Sequence, residues 1–343
     1  MTRARDLSND EANNGGATPP FVAGKNVVIN GNFDIWQRGT SFSNSTGYSV
    51  DRFTQTIAAS GSSVTVTRET TVPNPNSIYS VKYAQVGAAT SVVEYAARYW
   101  PETQDAMRLA GKTVTLSFWY RSNKTGTHGA RMSNGLQTGG ADAAFGFNIV
   151  AANTWQYISW TTSVPYGGIT AINTAPNAGV GILDIGFRVG GAGVGFTALS
   201  DGDYFQLSQV QLEIGSVATP FSRASGSIGG ELSLCQRYYF RTTGGSNYQP
   251  VCNGFASSTT NVMGYVQYPV TMRATPASIE YASLQCNDST IGTVVSAVAF
   301  SGTEVGPSSA TLNFTCGSMT AFRPVKVLQN NTAAGYLALS AEM

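Results

Sequence analysis

Charged side chains are scarce in this chain of 343 residues, where Asp, Glu, Lys and Arg together make up only 11%. That share is less than half of the roughly 25% that is usual in soluble proteins. The net charge of +1 leaves no electrostatic footprint for nucleic acid, which excludes that class of partner. Glycine, with 38 residues, and many Ser, Thr and Asn fill the gap, so we expect a polar but neutral surface.

Histidine is almost absent as well, since His128 is the only one. A Ser-His-Asp triad or a histidine-containing zinc site would have to use it. Residues 123–129 around it have the composition of a solvated loop, so we expect no catalytic role for His128. Long hydrophobic runs are also missing: none approaches the ~20 residues of a membrane-crossing helix, so we expect no membrane insertion.

Cysteine is confined to the last third of the chain, at Cys235, Cys252, Cys286 and Cys316. Their spacing fits no metal-binding pattern of paired C-x-x-C motifs. We expect buried free thiols in a β core, and one or two disulfides stay open as the alternative. The glycine-rich run at residues 190–195 lacks the lysine and the following helix of a phosphate loop, and no cofactor is expected.

Strict alternation of apolar and polar residues dominates the first two thirds of the chain. In residues 113–120 one face is apolar and the other carries Thr115, Ser117 and Trp119, a period of two that is typical of a strand with one buried face. One short helix is predicted between Pro101 and Gly111. The many strands predict an all-β fold, with an antiparallel two-sheet sandwich as its main unit.

Composition divides the chain into four segments. Residues 1–24 are polar and extended, and residues 25–223 carry the strong strand signals. Residues 224–230 are a glycine-serine linker by composition. Residues 231–343 are predicted to form a second, smaller β-sandwich.

Three segments together carry a family resemblance. They are NGNFDIWQRG at residues 30–39, LAGKTVTLSFWY at residues 109–120 and FQLSQVQLEIGS at residues 205–216. These segments resemble the opening, middle and closing strands of a jelly-roll domain found in bacteriophage tail-fibre proteins and related to carbohydrate-binding modules. The resemblance covers roughly residues 25–222. It implies a jelly roll at residues 25–223, an attachment segment at residues 1–24 and a C-terminal tip.

The resemblance implies a structural virion protein that adheres to the host surface, through glycans or another receptor, rather than an enzyme. We expect a homotrimer in the virion tail, joined to other virion proteins through residues 1–24. The chain starts without the apolar core of an export signal, so extracellular release is expected to follow host lysis. A head fibre or capsid decoration protein is one alternative, and a glycan-cleaving tail enzyme is another.

Exposed aromatic side chains are the expected glycan contacts, because sugar rings stack their C–H faces on them. The candidates are Tyr99, Trp100, Trp155, Tyr157 and Trp160 in the jelly roll and Tyr248 in the tip, whereas Trp36 and Trp119 are assigned to the core.

The resemblance also implies a structural calcium ion between an acid in the first motif and an Asp-Asp pair in the last strand. Asp34 matches the first position, but Ser208 and Gln209 stand in place of the pair. A hard cation needs more carboxylate charge than this, so Asp34 is only a weak metal candidate.

Overall fold

A computed structural model describes residues 24–44, 47–133, 142–163, 182–189, 195–242, 246–288 and 290–342. Within these residues the chain forms 20 strands and two short helices. The predicted attachment segment lies outside the described residues except for Gly24, and so does most of the glycine-rich run at residues 190–195. No helix in the described ranges has the length and apolar character needed to cross a bilayer.

Two antiparallel sheets face each other in the first unit. One contains β1 Ser41–Ser43, β3 Ser63–Glu69, β4 Ser80–Val86, β6 Thr113–Ser122, β9 Gln156–Ser163 and β11 Tyr204–Ile214. The other contains β2 Phe53–Ser60, β5 Thr90–Tyr99, β7 Gly126–Ser133, β8 Asp142–Ile149 and β10 Ile182–Arg188. Their spatial orders are β1-β3-β4-β11-β6-β9 and β2-β5-β10-β7-β8. The predicted all-β fold class and two-sheet sandwich are confirmed.

The alternation seen in the sequence determines the faces of the sheets. On β6 the apolar set of Val114, Leu116, Phe118 and Tyr120 is fully buried in the core between the sheets. The polar set of the same strand lies on the outer face of the six-stranded sheet. The predicted short helix is also confirmed as α1, Thr103–Leu109, with Asp105 in its first turn and Arg108 in its last. Gly111 follows it with a φ of +68°.

The second unit combines a closed barrel with a small sheet. The barrel contains β13 Pro250–Ala256, β14 Asn261–Gln267, β16 Leu284–Asn287, β17 Gly292–Val305, β18 Ser309–Cys316 and β19 Pro324–Gln329, in the order β13-β14-β18-β17-β16-β19. The small sheet contains β12 Tyr239–Arg241, β15 Ser278–Ala282 and β20 Tyr336–Ser340. The sequence predicts a β-sandwich for the second unit, and the structure corrects this to a closed barrel with a small sheet. The barrel closes because β13 pairs with both β14 and β19.

The four cysteines are free thiols. Three of them are buried and Cys252 is half-buried, in agreement with the expected buried thiols. Burial in apolar surroundings raises the pKa of the Cys252 thiol to about 12, which leaves it protonated near neutral pH.

Helix α2, Ile228–Gln236, begins inside the segment predicted as a linker. Ser227 caps it, since the Gly230 amide donates to the Ser227 hydroxyl at 3.1 Å. The Glu231 carboxylate accepts a hydrogen bond from the Asn30 amide at 2.5 Å, and Cys235 is part of the core of the first unit. The domain boundary at residues 224–230 stays a prediction, and these contacts tie the segment to the first unit.

Candidate functional site

Trp119 and Tyr157 form an aromatic pair on the outer face of the six-stranded sheet. They are direct cross-strand partners on β6 and β9, and their ring centroids lie 5.4 Å apart at an interplanar angle of 57°. Among the described residues β9 is the edge strand of this sheet, so Tyr157 lies on its outermost strand. Trp119 is half-buried, and Tyr157 exposes 47% of its surface.

A row of polar side chains lies beside this pair, beginning with Arg121, two residues after Trp119 on the same face of β6. Lys82 on β4, Gln206 on β11 and Arg121 on β6 are register partners across the sheet. The Arg121 guanidinium donates to the Gln206 side-chain oxygen at 2.7 Å and to the Asn153 carbonyl at 2.9 Å. Two hydrogen bonds therefore fix the guanidinium before any ligand arrives. We call the surface formed by Trp119, Tyr157, Arg121, Lys82 and Tyr204 the aromatic platform; the buried Gln206 supports Arg121.

Tyr204 completes the platform at its far end. The Lys82 ammonium lies 4.6 Å from the centroid of the Tyr204 ring, and the Arg121 guanidinium carbon lies 5.6 Å from it. The Tyr204 hydroxyl donates to the Asn153 side chain. Burial raises the pKa of Tyr204 above its usual value, and the nearby Arg121 only partly offsets this rise. The phenol therefore stays neutral and can act as a donor.

The assignment of Trp119 to the core is wrong, and the sequence contained the signal that corrects it. Trp119 occupies the polar phase of β6, after Thr115 and Ser117, so its side chain leaves the outer face of the sheet. A tryptophan in the polar phase of a half-buried strand is expected at the surface. Trp36 is likewise only half-buried, although it packs against the core and its indole N–H donates to the Phe33 carbonyl at 2.6 Å.

Tyr99 is corrected as a glycan candidate because it is only 2% exposed. Its hydroxyl donates to the Val27 carbonyl at 3.0 Å and accepts from the Ile29 amide at 3.1 Å. Its role is therefore to anchor the segment that precedes β1. Trp100 is half-buried, and its ring centroid lies 5.6 Å from the Arg98 guanidinium carbon on the five-stranded sheet.

The remaining candidates do not assemble into one surface. Trp160 packs against the sandwich core and stacks on Phe145, with ring centroids 5.3 Å apart and an interplanar angle of 13°. Trp155 is half-buried, and its indole N–H has no partner. Tyr248 is 49% exposed in the second unit. Of the six, Tyr157 and Tyr248 are exposed, and Tyr157 pairs with an aromatic ring on the outer face of its sheet.

Asp34, the weak metal candidate, is held by a protein cation. The Arg223 guanidinium donates to its carboxylate at 2.8 Å, and the Asn32 amide donates at 3.1 and 3.2 Å. The Asp34 side chain is only 5% exposed. In the described part of the chain, no group of three or more His, Cys, Asp or Glu side chains is arranged to hold a metal ion.

A neutral network surrounds the two positions that replace the acid pair. The Ser77 hydroxyl lies 3.1 Å from the Ser208 hydroxyl and donates to Asn32 at 2.9 Å. The Gln209 amide donates to Ser77 at 2.9 Å and to Asn74 at 3.2 Å. Hydroxyls and amides thus satisfy one another where the resemblance implies carboxylates around an ion. These residues fit a calcium ion poorly, because Asp34 is the only carboxylate among them.

Two carboxylates come together on the outer face of the five-stranded sheet. Glu94 and Asp184 are both held by Arg98 and Arg131, with nitrogen–oxygen distances of 3.0 and 2.6 Å for Glu94 and 2.7 Å between Arg98 and Asp184. The Asp184 side chain is fully buried. Because the same two guanidiniums bind both acids, neither carboxyl is free to act as the proton donor of a glycosidase.

His128 lies in a strand and not in a solvated loop, so that expectation is corrected. It is fully buried on β7 among the rings of Phe147, Phe187 and Phe196. Its Nε2 donates to the Lys124 carbonyl at 3.0 Å, which leaves Nδ1 to accept from the Tyr120 hydroxyl at 2.9 Å. Burial lowers the pKa of His128 to about 4. The imidazole is a neutral core group.

Comparison with known proteins yields distant structural likenesses. No protein-family model matches the chain, and no curated protein matches it. The chain is similar to the enzymatically active domain of bacteriophage CBA120 tailspike protein 4, at 19% identity and a TM-score of 0.33, over 56% of this chain and 22% of that chain.

Two binding modules are similar at the same level. A CBM4 structure is 14% identical with a TM-score of 0.31, over 55% of this chain and all of that chain. The CBM22-2 xylan-binding domain of Paenibacillus barcinonensis Xyn10C is 16% identical with a TM-score of 0.30, over 51% of this chain and 98% of that domain. At such scores, an assignment of function has to come from the geometry of the chain itself.

Proposed function

We propose that this chain is a non-catalytic glycan-binding protein whose jelly roll binds sugar through the aromatic platform. The observation that carries the proposal is the Trp119–Tyr157 pair at the edge of the six-stranded sheet, one row away from the Arg121–Gln206 pair. Aromatic rings next to fixed hydrogen-bonding groups are what a sugar ring requires, because it has an apolar C–H face and a polar rim.

Preorganisation supports this proposal. Arg121 is already bonded to Gln206 and Asn153, so little side-chain freedom remains to be lost when a ligand binds. Trp119 and Tyr157 lie on neighbouring strands of one sheet, which holds the spacing of their rings.

We further propose that the protein is a virion component, a tail fibre that adheres to host surface glycans. The support is the sequence resemblance of residues 30–39, 109–120 and 205–216 to tail-fibre jelly rolls, together with the scarcity of charge. In this proposal residues 1–24 attach to other virion proteins and three copies assemble. Three weak sites on a repetitive glycan gain strength by avidity. A head fibre or capsid decoration protein would use the same unit in another place.

The test compares single variants of the full-length protein on a glycan array and on host cells. Trp119→Ala and Tyr157→Ala should each weaken glycan binding by about three- to tenfold, as expected from roughly 0.5–1.5 kcal/mol per aromatic contact. Tyr248→Ala is the matched control, since Tyr248 is as exposed as Tyr157 and lies in the other unit. Glycan binding that survives both platform variants would refute the platform, and its loss in Tyr248→Ala would assign binding to the second unit instead.

A further inference from the structure

A second surface with a different chemistry lies on the outside of the barrel. Tyr265 on β14, Asn253 on β13, Lys326 on β19 and Asn287 on β16 are successive register partners across four neighbouring strands. Their neighbours along each strand, such as Val325 and Cys286, are buried in the barrel, so these four side chains share the outer face. Tyr265 exposes 57% of its surface. One row thus presents an aromatic ring, an amide, an ammonium and a second amide, spaced by about 4.8 Å per strand.

A groove of about 590 Å³ runs beside this row, within the roughly 300–1,000 Å³ of small-ligand sites. Lys326 and Arg323 supply two cations to its lining, and Asn253 and Asn287 supply two amides. In the described residues, no carboxylate forms an ion pair with either cation. We call the row and the groove together the barrel groove.

Asp288, the one acid in the barrel groove, is occupied by its own loop. Its carboxylate accepts from the Thr290 hydroxyl at 2.8 Å, the Thr290 amide at 3.1 Å and the Ile291 amide at 2.8 Å. These bonds, the Thr290 hydroxyl first, hold the pKa of Asp288 below its usual range. Arg323 in turn donates to the Thr290 hydroxyl oxygen at 3.2 Å. Asp288 therefore positions Thr290, whose hydroxyl in turn accepts the hydrogen bond from Arg323.

Two exposed aromatic side chains lie next to Pro324, which is part of the lining of the barrel groove. Phe255 is 45% exposed two residues after Asn253, and it pairs in register with Pro324, two residues before Lys326. Phe322 is 82% exposed and has a φ of +64°, a region that a bulky residue seldom occupies. Its amide donates to the Ala256 carbonyl at 2.7 Å, which holds this turn next to β13. Phe255 and Phe322 thus add exposed aromatic surface beside β13.

We propose that the barrel groove binds an acidic glycan, one whose sugars carry carboxylate groups. The sugar carboxylate pairs with Lys326 and Arg323, the flanking amide of Asn253 bonds to a hydroxyl, and a sugar face stacks on Tyr265 or Phe255. The two cations and single satisfied acid give the groove a net positive charge in a chain that carries little charge elsewhere. This site lies in a different unit from the aromatic platform, so variants of one leave the other intact and either proposal can fail alone.

Binding assays on the full-length protein test this proposal with charge-matched probes. The ligands are oligosaccharides of galacturonic, glucuronic and sialic acid, each compared with its methyl ester, which keeps the ring and removes the charge. At least one acid form should bind at least about tenfold more tightly than its ester, and added salt should weaken it. If no acid form binds, or if acid and ester bind alike, the proposal is refuted.

Variants then locate the site. Lys326→Ala should weaken acid binding by about tenfold, while Lys112→Ala, which removes an exposed lysine of the first unit, should change nothing. Tyr265→Ala should lose affinity and Tyr265→Phe should keep it, because stacking needs the ring and not the hydroxyl. Competition by inorganic sulfate as strong as that of the glycan would mean an adventitious anion only. If Lys326→Ala or Tyr265→Ala changes the oligomeric state but leaves glycan affinity unchanged, the surface is instead a contact with a second copy of the chain.

Discussion

The Arg52 guanidinium lies 2.6 Å from the carboxylate of Glu342, the last described residue, and so joins the start of β2 to the end of the second unit. The Arg52 side chain is fully buried and that of Glu342 is 7% exposed. The Arg52 guanidinium also lies over the Tyr238 ring, 3.4 Å from its centroid, and Arg38 pairs with the same glutamate at 3.4 Å. A buried ion pair thus bridges the two units, and we expect them to unfold together.

Removal of one partner from this pair should be costly. Glu342→Gln leaves a buried guanidinium without its counter-charge and should lower the free energy of unfolding by roughly 3–5 kcal/mol. Arg52→Met combined with Glu342→Gln should recover part of the loss. Asp105→Asn in the exposed Asp105–Arg108 pair is the control, with an expected change of about 0.5 kcal/mol or less. If denaturant titrations show that Glu342→Gln and Asp105→Asn lower the free energy of unfolding by equally small amounts, the ion pair does not couple the two units.

His128 should titrate far below an ordinary histidine. Burial lowers its pKa to about 4 from 6.5, so the folded protein binds fewer protons than the unfolded chain between these values. Its contribution to stability is complete above pH 6.5 and is lost as the pH falls through 4. The chain has one histidine, so a single set of imidazole NMR signals reports it. A midpoint near 6.5 would contradict the buried, neutral imidazole.

Calcium should have little effect on the jelly roll. Arg223 supplies the positive charge next to Asp34, and the Ser208–Gln209 network contains no carboxylate. A ligand that binds only the folded state raises the melting temperature, so millimolar calcium added to chelator-treated protein should shift it by less than about 1 °C. Arg223→Gln should be measured alongside the unmodified protein, because this variant removes the cation that pairs with Asp34. A rise of several degrees in the unmodified protein would show a calcium site.

The sheet faces could be predicted from the sequence, whereas the closure of the barrel could not. Alternation in residues 113–120 identified the buried side chains of β6 because the period of a strand is local. Closure depends on β13 meeting β19, which lies more than 60 residues later in the chain, and no local pattern encodes that pairing. The same limit hid the Asn253–Lys326–Asn287 row, which exists only in the register of three strands.

The errors in the site prediction have a similar cause. Tyr99 on the central strand β5 and Trp160 on the edge strand β9 both occupy inward-facing positions. The prediction selected aromatic residues by type and did not separate inward-facing from outward-facing positions. Trp119 was assigned by residue type, although its phase placed it outside. His128 was assigned by the composition of a loop whose second half forms β7. In each case the strand phase, extended through the whole segment, carried more information than the residue type.

The most direct test of the account is to see which tryptophan responds when glycan binds. The chain has five tryptophans, so fluorine NMR of fluorotryptophan-labelled protein gives one resonance for each, assigned by single Trp→Phe variants. Titration of the Lys326→Ala variant, whose barrel groove lacks its lysine, with a glycan that it still binds should shift the Trp119 resonance and leave Trp36 and Trp160, which pack against the core, unchanged. A shift at Trp100 or Trp160 with none at Trp119, or no shift at all, would contradict binding through the aromatic platform.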